Sequence, residues 1–252
     1  MRLCTVGTGT AAPHPARVQS ALFVESEGVR LLIDCGSGAV FRLAALGLPW
    51  RELTHVAITH FHADHTSDLA TLFFAWRWGM LPPRLAPVTI LGPAGTQDLL
   101  RRHAAALGTG MLESVPEIRI DEVVPGTAVP LSETLTLEAR KVPHTDESVA
   151  YSLSGNGRRV VITGDTAFDP GLARWAEGCD VLVCECSLPD ALASPLHLTP
   201  RECGALAAVA HPGLLALTHF YPPVEAVDVV AEVREHFGGP VVMCHDGWDY
   251  EL

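Results

Sequence analysis

Short apolar segments recur along the chain, and several end at a residue that can bind a metal ion or transfer a proton. These segments are rich in β-branched residues and bounded by Gly, Pro or polar residues, which is typical of buried strands. Polar groups collected at the edge of buried sheets often form functional sites, so the pattern predicts a site at such an edge. The predicted strands, each with the residue that ends it, are 29–33 with Asp34, 56–59 with His60, 160–164 with Asp165, 181–184 with Glu185 and 214–218 with His219.

Helical segments lie between the strands and are expected over residues 38–46, 64–78, 95–107 and 224–236. A further helix should begin at Thr199-Pro200-Arg201-Glu202, which has the form of a capping box with Pro at the first helical position. Helices and strands mix in both halves, and no linker divides the chain. We therefore predict one α/β domain over residues 1–252, with sheets sandwiched between helices.

Composition places the chain among ordinary folded proteins and argues against a polyanionic partner. Of 252 residues, 48% are hydrophobic and 18% are charged, and the net charge is −12 with a single lysine, Lys141. Proteins that bind nucleic acid usually present a basic face to the phosphates. Acidity therefore argues against nucleic acid and anionic membranes, although a small anionic substrate could still face metal ions.

The N-terminus and the cysteines predict a cytoplasmic protein. The chain enters a strand-like pattern at once, without the apolar region of a signal peptide. Its longest apolar-aromatic stretch, residues 69–80, is too short to span a bilayer. The seven cysteines are odd in number and lack a Cys-x-x-Cys pair, so we expect reduced, buried thiols rather than disulfides or a zinc–thiolate site.

The segment His60-Phe61-His62-Ala63-Asp64-His65 places three imidazoles and one carboxylate directly after a predicted strand. His60 and His62 are two residues apart, so they need an extended loop to converge. Asp64 and His65 are adjacent and should face another position, at the start of the following helix. Four ligands from so short a loop would crowd one ion, and we therefore predict two ions.

Each ion needs further ligands, and three strand-end residues can supply them. His144 would complete the first site, His219 the second, and the two oxygens of Asp165 could bridge both. Alone, each would be an ordinary structural residue; together with the loop they become predicted ligands. Nitrogen and oxygen ligands suit two divalent ions, Zn²⁺ first, with manganese, iron or cobalt as alternatives.

These motifs resemble the metallo-β-lactamase superfamily and, within it, the ribonuclease Z branch. The resemblance implies a four-layer αββα sandwich with a dinuclear site, and a pair formed by Glu185 and His197 in which His197 donates a proton. A structural hydrogen bond between Glu185 and His197 is the alternative. Asp34 would support a ligand imidazole without binding metal; a simple turn carboxylate is the alternative. The motifs that carry the resemblance are Asp34-Cys35-Gly36, the His60 to His65 segment, Pro143-His144, Thr163-Gly164-Asp165-Thr166, Val183-Cys184-Glu185-Cys186-Ser187, His197-Leu198-Thr199 and Thr218-His219-Phe220.

The predicted chemistry is hydrolysis of an ester. Two ions can lower the pKa of a shared water, and the resulting hydroxide would attack a phosphodiester. Asp64 would orient this nucleophile while binding the second ion. His197, held by Glu185, would protonate the departing alkoxide.

The substrate is expected to be a small phosphodiester or related ester. The branch's long tRNA-binding arm is replaced by the short segment 154–159 with an Asn-Gly turn, so tRNA is not expected. The alternatives are a true ribonuclease Z-type tRNA 3′-endonuclease, a hydrolase of lactones, thioesters or sulfate esters, and a non-catalytic metal-binding protein. An aromatic cluster that follows the histidine loop suggests core packing or a homodimer contact, with a substrate wall as the minority alternative: Phe73, Phe74, Trp76 and Trp78.

Overall fold

Two mixed β-sheets form the centre of the protein in the computed structural model, which describes residues 1–108, 112 and 117–252. Strands are numbered in chain order. The first sheet contains, from one edge to the other, β14 (Asp249–Glu251), β1 (Arg2–Gly7), β2 (Ala21–Ser26), β3 (Val29–Ile33), β4 (His55–Ala57), β5 (Val88–Gly92) and β6 (Ile118–Glu122). The second sheet contains, again from one edge to the other, β13 (Val241–Met243), β12 (Leu214–Thr218), β11 (Val181–Glu185), β10 (Arg158–Ile162), β9 (Val149–Gly155), β8 (Leu135–Lys141) and β7 (Ala128–Pro130).

Helices cover the outer face of each sheet. Apolar side chains of α1 (Ala39–Ala45), α3 (Leu69–Trp78) and α4 (Thr96–Leu107) pack on the first sheet, whereas the short α2 (Ala63–Thr66) lies at its edge. Helices α5 (Pro170–Trp175), α6 (Pro200–Ala210) and α7 (Val229–Arg234) pack on the second sheet. A third apolar cluster, which includes Leu31, Leu153 and Val183, joins the inner faces of both sheets. The predicted αββα sandwich is confirmed, and because one core joins both sheets we propose a single domain.

Both sheets are parallel in the region that carries the predicted site residues. Strands β3 to β6 run parallel in the first sheet, and β10 to β13 run parallel in the second. The carboxyl ends of parallel strands meet at one edge, where α/β proteins place their ligands. The turn between β9 and β10 is the predicted hairpin, with Asn156 at φ 52° and Gly157 at φ 72°.

Two predicted helices differ from the structure. The helix expected over residues 64–78 is divided into α2 and α3, because the Asp68 N–H donates to the carbonyl of Cys35 and its carboxylate accepts from the N–H of Val40. The helix expected over 224–236 is shortened to α7, because Asp228 caps a new N-terminus by accepting from the N–H of Ala231. In both places a polar side chain offers the backbone a competing partner. The capping box at Thr199 and Glu202 is confirmed.

The cysteines are all free and buried, as predicted. Among the described residues, none of the helices has the length and apolar character that crossing a membrane requires. The cytoplasmic location stays a prediction.

Candidate metal centre

Every residue predicted for the site comes to one edge of the two sheets. Asp34 follows β3 and His60 lies three residues after β4 in the first sheet. In the second sheet, Asp165 follows β10, Glu185 ends β11 and His219 follows β12. The sheets face each other, so these strand ends converge across the sandwich, and the loop after β8 adds a further ligand.

The histidine loop takes the extended form that its spacing predicts. His62 has φ −62° and ψ 151° and directly precedes α2, which carries Asp64 and His65. This short helix lies against the turn after β3: a Cβ atom added to Gly36 would be 2.0 Å from the carbonyl oxygen of Asp64. Gly36 is therefore required because any side chain there would displace the loop.

The first half of the site contains His60, His62, His144 and one oxygen of Asp165, whose ligand atoms lie within 4.8 Å of one another. His144 Nε2 is 3.2 Å from His62 Nδ1. The Oδ2 atom of Asp165 is 3.9 Å from His60 Nε2 and 3.8 Å from His144 Nε2. These atoms surround one position that a cation could occupy.

The second half contains Asp64, His65 and His219, and it faces the other oxygen of Asp165. The Nε2 atoms of His65 and His219 are 3.3 Å apart. Each is 3.4 Å from Asp165 Oδ1, and Asp64 Oδ2 is 3.4 Å from His219 Nε2. Asp165 thus directs one oxygen to each half, as a bridging ligand must.

Hydrogen bonds outside the site leave the inward nitrogens free to bind a metal. The Nδ1–H of His65 donates to Asp34 at 2.7 Å, that of His144 to the carbonyl of Leu196 at 2.9 Å, and that of His219 to Ser187 Oγ at 2.9 Å. Because Nδ1 donates to a group outside the centre, Nε2 is the nitrogen that each of these rings can offer to a cation.

His60 gives the strongest sign that a metal fits. Its Nε2 atom is buried and has no hydrogen-bond partner among the described residues, whereas its Nδ1 is 3.1 Å from Thr59 Oγ1. A buried polar atom without a partner is costly. Burial lowers the pKa of His60 to about 2, with a further lowering from the neighbouring imidazole of His65. The ring is therefore neutral and can bind a cation without releasing a proton.

The two aspartates of the centre are held in the charged form. Burial raises the pKa of Asp64, but the hydrogen bond and charge from His219 and the charge of His65 outweigh it and bring the pKa to about 2. Burial also raises the pKa of Asp165, but the charges of the surrounding imidazoles and a hydrogen bond from His65 outweigh it. The pKa of Asp165 therefore lies well below its usual range. Two buried carboxylates need compensating positive charge, which divalent ions would supply.

Asp34 lies outside the two clusters and contacts one of their imidazoles. Its carboxylate accepts from the N–H and the hydroxyl of Thr59, both at 2.8 Å, as well as from His65. Asp34 has φ 60°, a conformation that Asn also tolerates. These contacts join Asp34 to a residue of the centre, and its supporting role stays a prediction.

We expect Asp34→Asn to weaken metal binding by roughly 10–100-fold, because an amide no longer fixes the proton on His65 Nδ1. The measurement is titration of the metal-free protein with zinc in competition with a chelator. Unchanged affinity together with unchanged thermal stability would contradict the supporting role.

Glu185 and His197 form the predicted pair beside the ligands. His197 Nδ1 is 3.1 Å from Glu185 Oε1, and Glu185 also accepts from the N–H groups of Thr166 and Leu198. Burial lowers the pKa of His197, but the hydrogen bond and charge of Glu185 outweigh it, and the pKa is raised. His197 Nδ1 is also 3.9 Å from Asp165, but its N–H donates to the nearer Glu185. The other ring nitrogen, Nε2, therefore stays available to a substrate.

Two hydroxyl residues in the site had no predicted role. Ser187 Oγ donates to Glu185 and accepts from His219, so it connects the pair to the second half of the centre. Thr59 connects Asp34 to His60. The only sequence signals were the position of Ser187 in a motif and that of Thr59 at the end of a predicted strand. Farther from the ligands, Asp246 accepts from Thr8 and Val18 and holds the loop after β1.

Comparison with known proteins identifies a family and relatives of this chain. A model of the family described as Anti-Pycsar protein Apyc1 matches residues 1–227. Ribonuclease Z of Mycobacterium marinum (strain ATCC BAA-535 / M) is 28% identical over an alignment of 274 residues, covering 98% of this chain and 96% of that protein. Ribonuclease Z of Mycolicibacterium gilvum (strain PYR-GCK) is 27% identical over 242 residues, covering 87% of this chain and 84% of that one.

Solved structures share the fold along the whole chain. The metallo-beta-lactamase fold protein YhfI from Bacillus subtilis superposes with a TM-score of 0.85 at 23% identity, covering 99% of this chain and 98% of that one. Human tRNase Z, short form, superposes with a TM-score of 0.81 at 24% identity, covering 100% of this chain and 99% of that one. The chain therefore belongs to the Anti-Pycsar protein Apyc1 family, within the ribonuclease Z-like branch of the metallo-β-lactamase superfamily.

Proposed function

We propose that the protein is a metal-dependent hydrolase of small phosphodiesters. The observation that carries this proposal is the position of Asp165, which directs one carboxylate oxygen to each half of a split cluster of imidazoles beside the Glu185–His197 pair. Relatives with the names ribonuclease Z and yeast PDE1 support phosphodiester chemistry. Two zinc ions are the proposed cofactors, and a structural neighbour is Zn²⁺-bound PqqB.

The side chains can perform distinct parts of the reaction. Two divalent ions, when bound, lower the pKa of an attacking water and stabilise negative charge on the phosphoryl oxygens. Asp64 has a second carboxylate oxygen that can accept a hydrogen bond from this water and orient it. His197 donates its Nε2 proton to the leaving oxygen, while Glu185 and Ser187 keep the imidazole in place.

Apolar residues beside the ligands favour a small substrate over RNA. Phe61 lies between two of the ligand histidines in the sequence, and Leu196, which is 47% exposed, accepts a hydrogen bond from His144 through its carbonyl. A polyanion would need Lys or Arg along its path. Lys141, the single lysine, instead donates to the carbonyl of Thr145.

Cleavage of precursor tRNA is the second candidate, because the curated relatives have the name ribonuclease Z. Measuring the metal content of the protein and its activity on a panel of substrates distinguishes these candidate functions. The panel contains cyclic and linear small diesters, a lactone, a thioester, a sulfate ester and a precursor tRNA. We expect metal-dependent turnover of small diesters. Efficient tRNA cleavage without small-diester turnover would contradict the proposal, and inactivity on every substrate despite full metal loading would favour a metal-binding protein.

A homodimer is proposed from an apolar patch around the end of α3. Phe74 and Trp78 lie one turn apart and are 67% and 64% exposed, and Leu81 and Leu85 follow at 96% and 76%. Arg84, which lies between the two leucines in the sequence, is buried; it donates to the carbonyls of Leu53 and Pro87 and holds this loop. Four such side chains expose roughly 500–600 Å², a large share of the ~800 Å² that each partner buries in a standard interface. A two-fold contact with a second copy would cover the patch.

We expect Trp78→Asp to convert the dimer into a monomer, since a carboxylate would be buried in the contact. Light scattering after size exclusion measures the change. Val209→Asp is the control, because Val209 is exposed on α6 on the opposite side of the sandwich. A wild-type protein that is monomeric at high concentration would rule out this contact.

A further inference from the structure

Tyr221 lies beside both the proton-donating pair and the second half of the metal centre. Its ring centroid is 5.9 Å from that of His197 and 6.2 Å from that of His219, and the ring planes are inclined at 67° and 86°. The side chain is half-buried. The hydrolytic roles described above do not use this ring.

The backbone holds the ring in a defined position. The N–H of Tyr221 donates to the carbonyl of Ser187 at 3.1 Å, and its own carbonyl accepts from the N–H of Val224 at 3.0 Å. Pro222 follows at the first position of a short 3₁₀ helix, Pro222–Ala226. The ring is therefore attached to a segment with little freedom, and no loop closure is needed to bring it to the site.

The position of His197 determines which part of a substrate meets this ring. Its Nδ1 is directed at Glu185, so its proton reaches the leaving oxygen through Nε2, at about 3 Å. The centroids of the two rings are 5.9 Å apart, so Tyr221 is close enough to contact a group that is bonded to that oxygen and lies on its side of His197. Tyr221 is therefore a candidate contact for the part of the substrate bonded through the leaving oxygen.

We propose that Tyr221 is the specificity residue of the leaving-group subsite and selects diesters whose leaving group is a flat ring. An aromatic side chain in a fixed position gains most from planar partners, which it meets by stacking or by edge-to-face contact. This inference rests on the proposed phosphodiesterase function and adds the class of leaving group to it. The hydroxyl of Tyr221 makes no hydrogen bond within the described part of the chain, and the Tyr221→Phe variant separates its contribution from that of the ring.

The test compares two diesters that share a methyl group and differ in the leaving alcohol, methyl p-nitrophenyl phosphate and methyl trifluoroethyl phosphate. Tyr221→Ala should lower kcat/KM for the aryl diester about tenfold, and for the fluoroalkyl diester less than about twofold. Tyr221→Phe keeps the ring and should restore both values. Tyr250→Ala, which removes an exposed tyrosine from β14, should change neither.

Metal content is measured in every variant, and it should match that of the wild type. Equal losses on both diesters, or failure of Tyr221→Phe to restore the aryl value, would overturn the assignment. A wild-type enzyme that turns over both diesters with no change in Tyr221→Ala would overturn this inference alone. A fully loaded wild type that hydrolyses neither diester would overturn the proposed function and this inference with it.

Discussion

Replacing Asp165 with Ala should remove metal from both halves of the centre at once. The two oxygens of Asp165 face different halves, so the loss of one side chain takes a ligand from each. We expect the metal content to fall from about two ions per chain to below one, and kcat/KM for small diesters to fall by at least about 100-fold. Elemental analysis of the purified protein and steady-state kinetics measure the two effects.

The control for this change is Asp98→Ala, since Asp98 is an exposed carboxylate on α4 that contacts Arg102. This variant should retain full metal content and activity. If Asp165→Ala kept both ions with wild-type affinity, Asp165 would not be a bridging ligand, and the two halves of the cluster would have to be regarded as separate sites.

Replacing His197 with Ala should have an effect that depends on the leaving group. A departing alkoxide needs a proton, whereas p-nitrophenolate leaves without one, and general acid catalysis contributes about 10²–10⁴-fold. We expect kcat/KM to fall within that range for an alkyl diester and by less than about tenfold for bis(p-nitrophenyl) phosphate. His236→Ala, at an exposed position, should leave both values unchanged. Equal losses on both diesters would assign His197 a structural role.

The pH profile gives a second test of His197. Its pKa is raised above the ordinary value by the hydrogen bond and charge of Glu185, which outweigh the lowering by burial. The acid form therefore persists to higher pH than in a free histidine. Activity on an alkyl diester should fall as the pH rises through this pKa, and the fall should be weaker for the p-nitrophenyl diester. A profile that is the same for both diesters would contradict proton donation.

The division of the histidine loop could be predicted because it depends on local geometry. Two histidines at alternate positions converge only on an extended loop, and an adjacent aspartate and histidine at the start of a helix face elsewhere. The structure places His60 and His62 in one half and Asp64 and His65 in the other. The distant ligands could be named from their positions at strand ends, because parallel strands bring those ends to a common edge.

Other features depend on contacts between residues distant in sequence, which no local pattern reports. Helix 64–78 is divided because Asp68 meets Cys35 and Val40 from another turn. The four aromatic residues after the histidine loop differ in burial: Phe73 and Trp76 are fully buried, whereas Phe74 and Trp78 are exposed. Helical spacing predicts alternate faces but does not determine which face meets the sheet.

The layered fold could be predicted from the amino-acid sequence, because the apolar segments and the polar residues that end them are local properties. The same strand ends and the spacing of the histidine loop predict two clusters of possible ligands, and the resemblance adds the Glu185–His197 pair; the structure brings all of these residues together. How these residues act together depends on tertiary packing. Packing directs the two oxygens of Asp165 to different halves and places Tyr221 beside the proton donor. It also fixes the protons of the ligand imidazoles through Asp34, Leu196 and Ser187. These relations join separate strands across two sheets, so they exist only after the sheets have packed together.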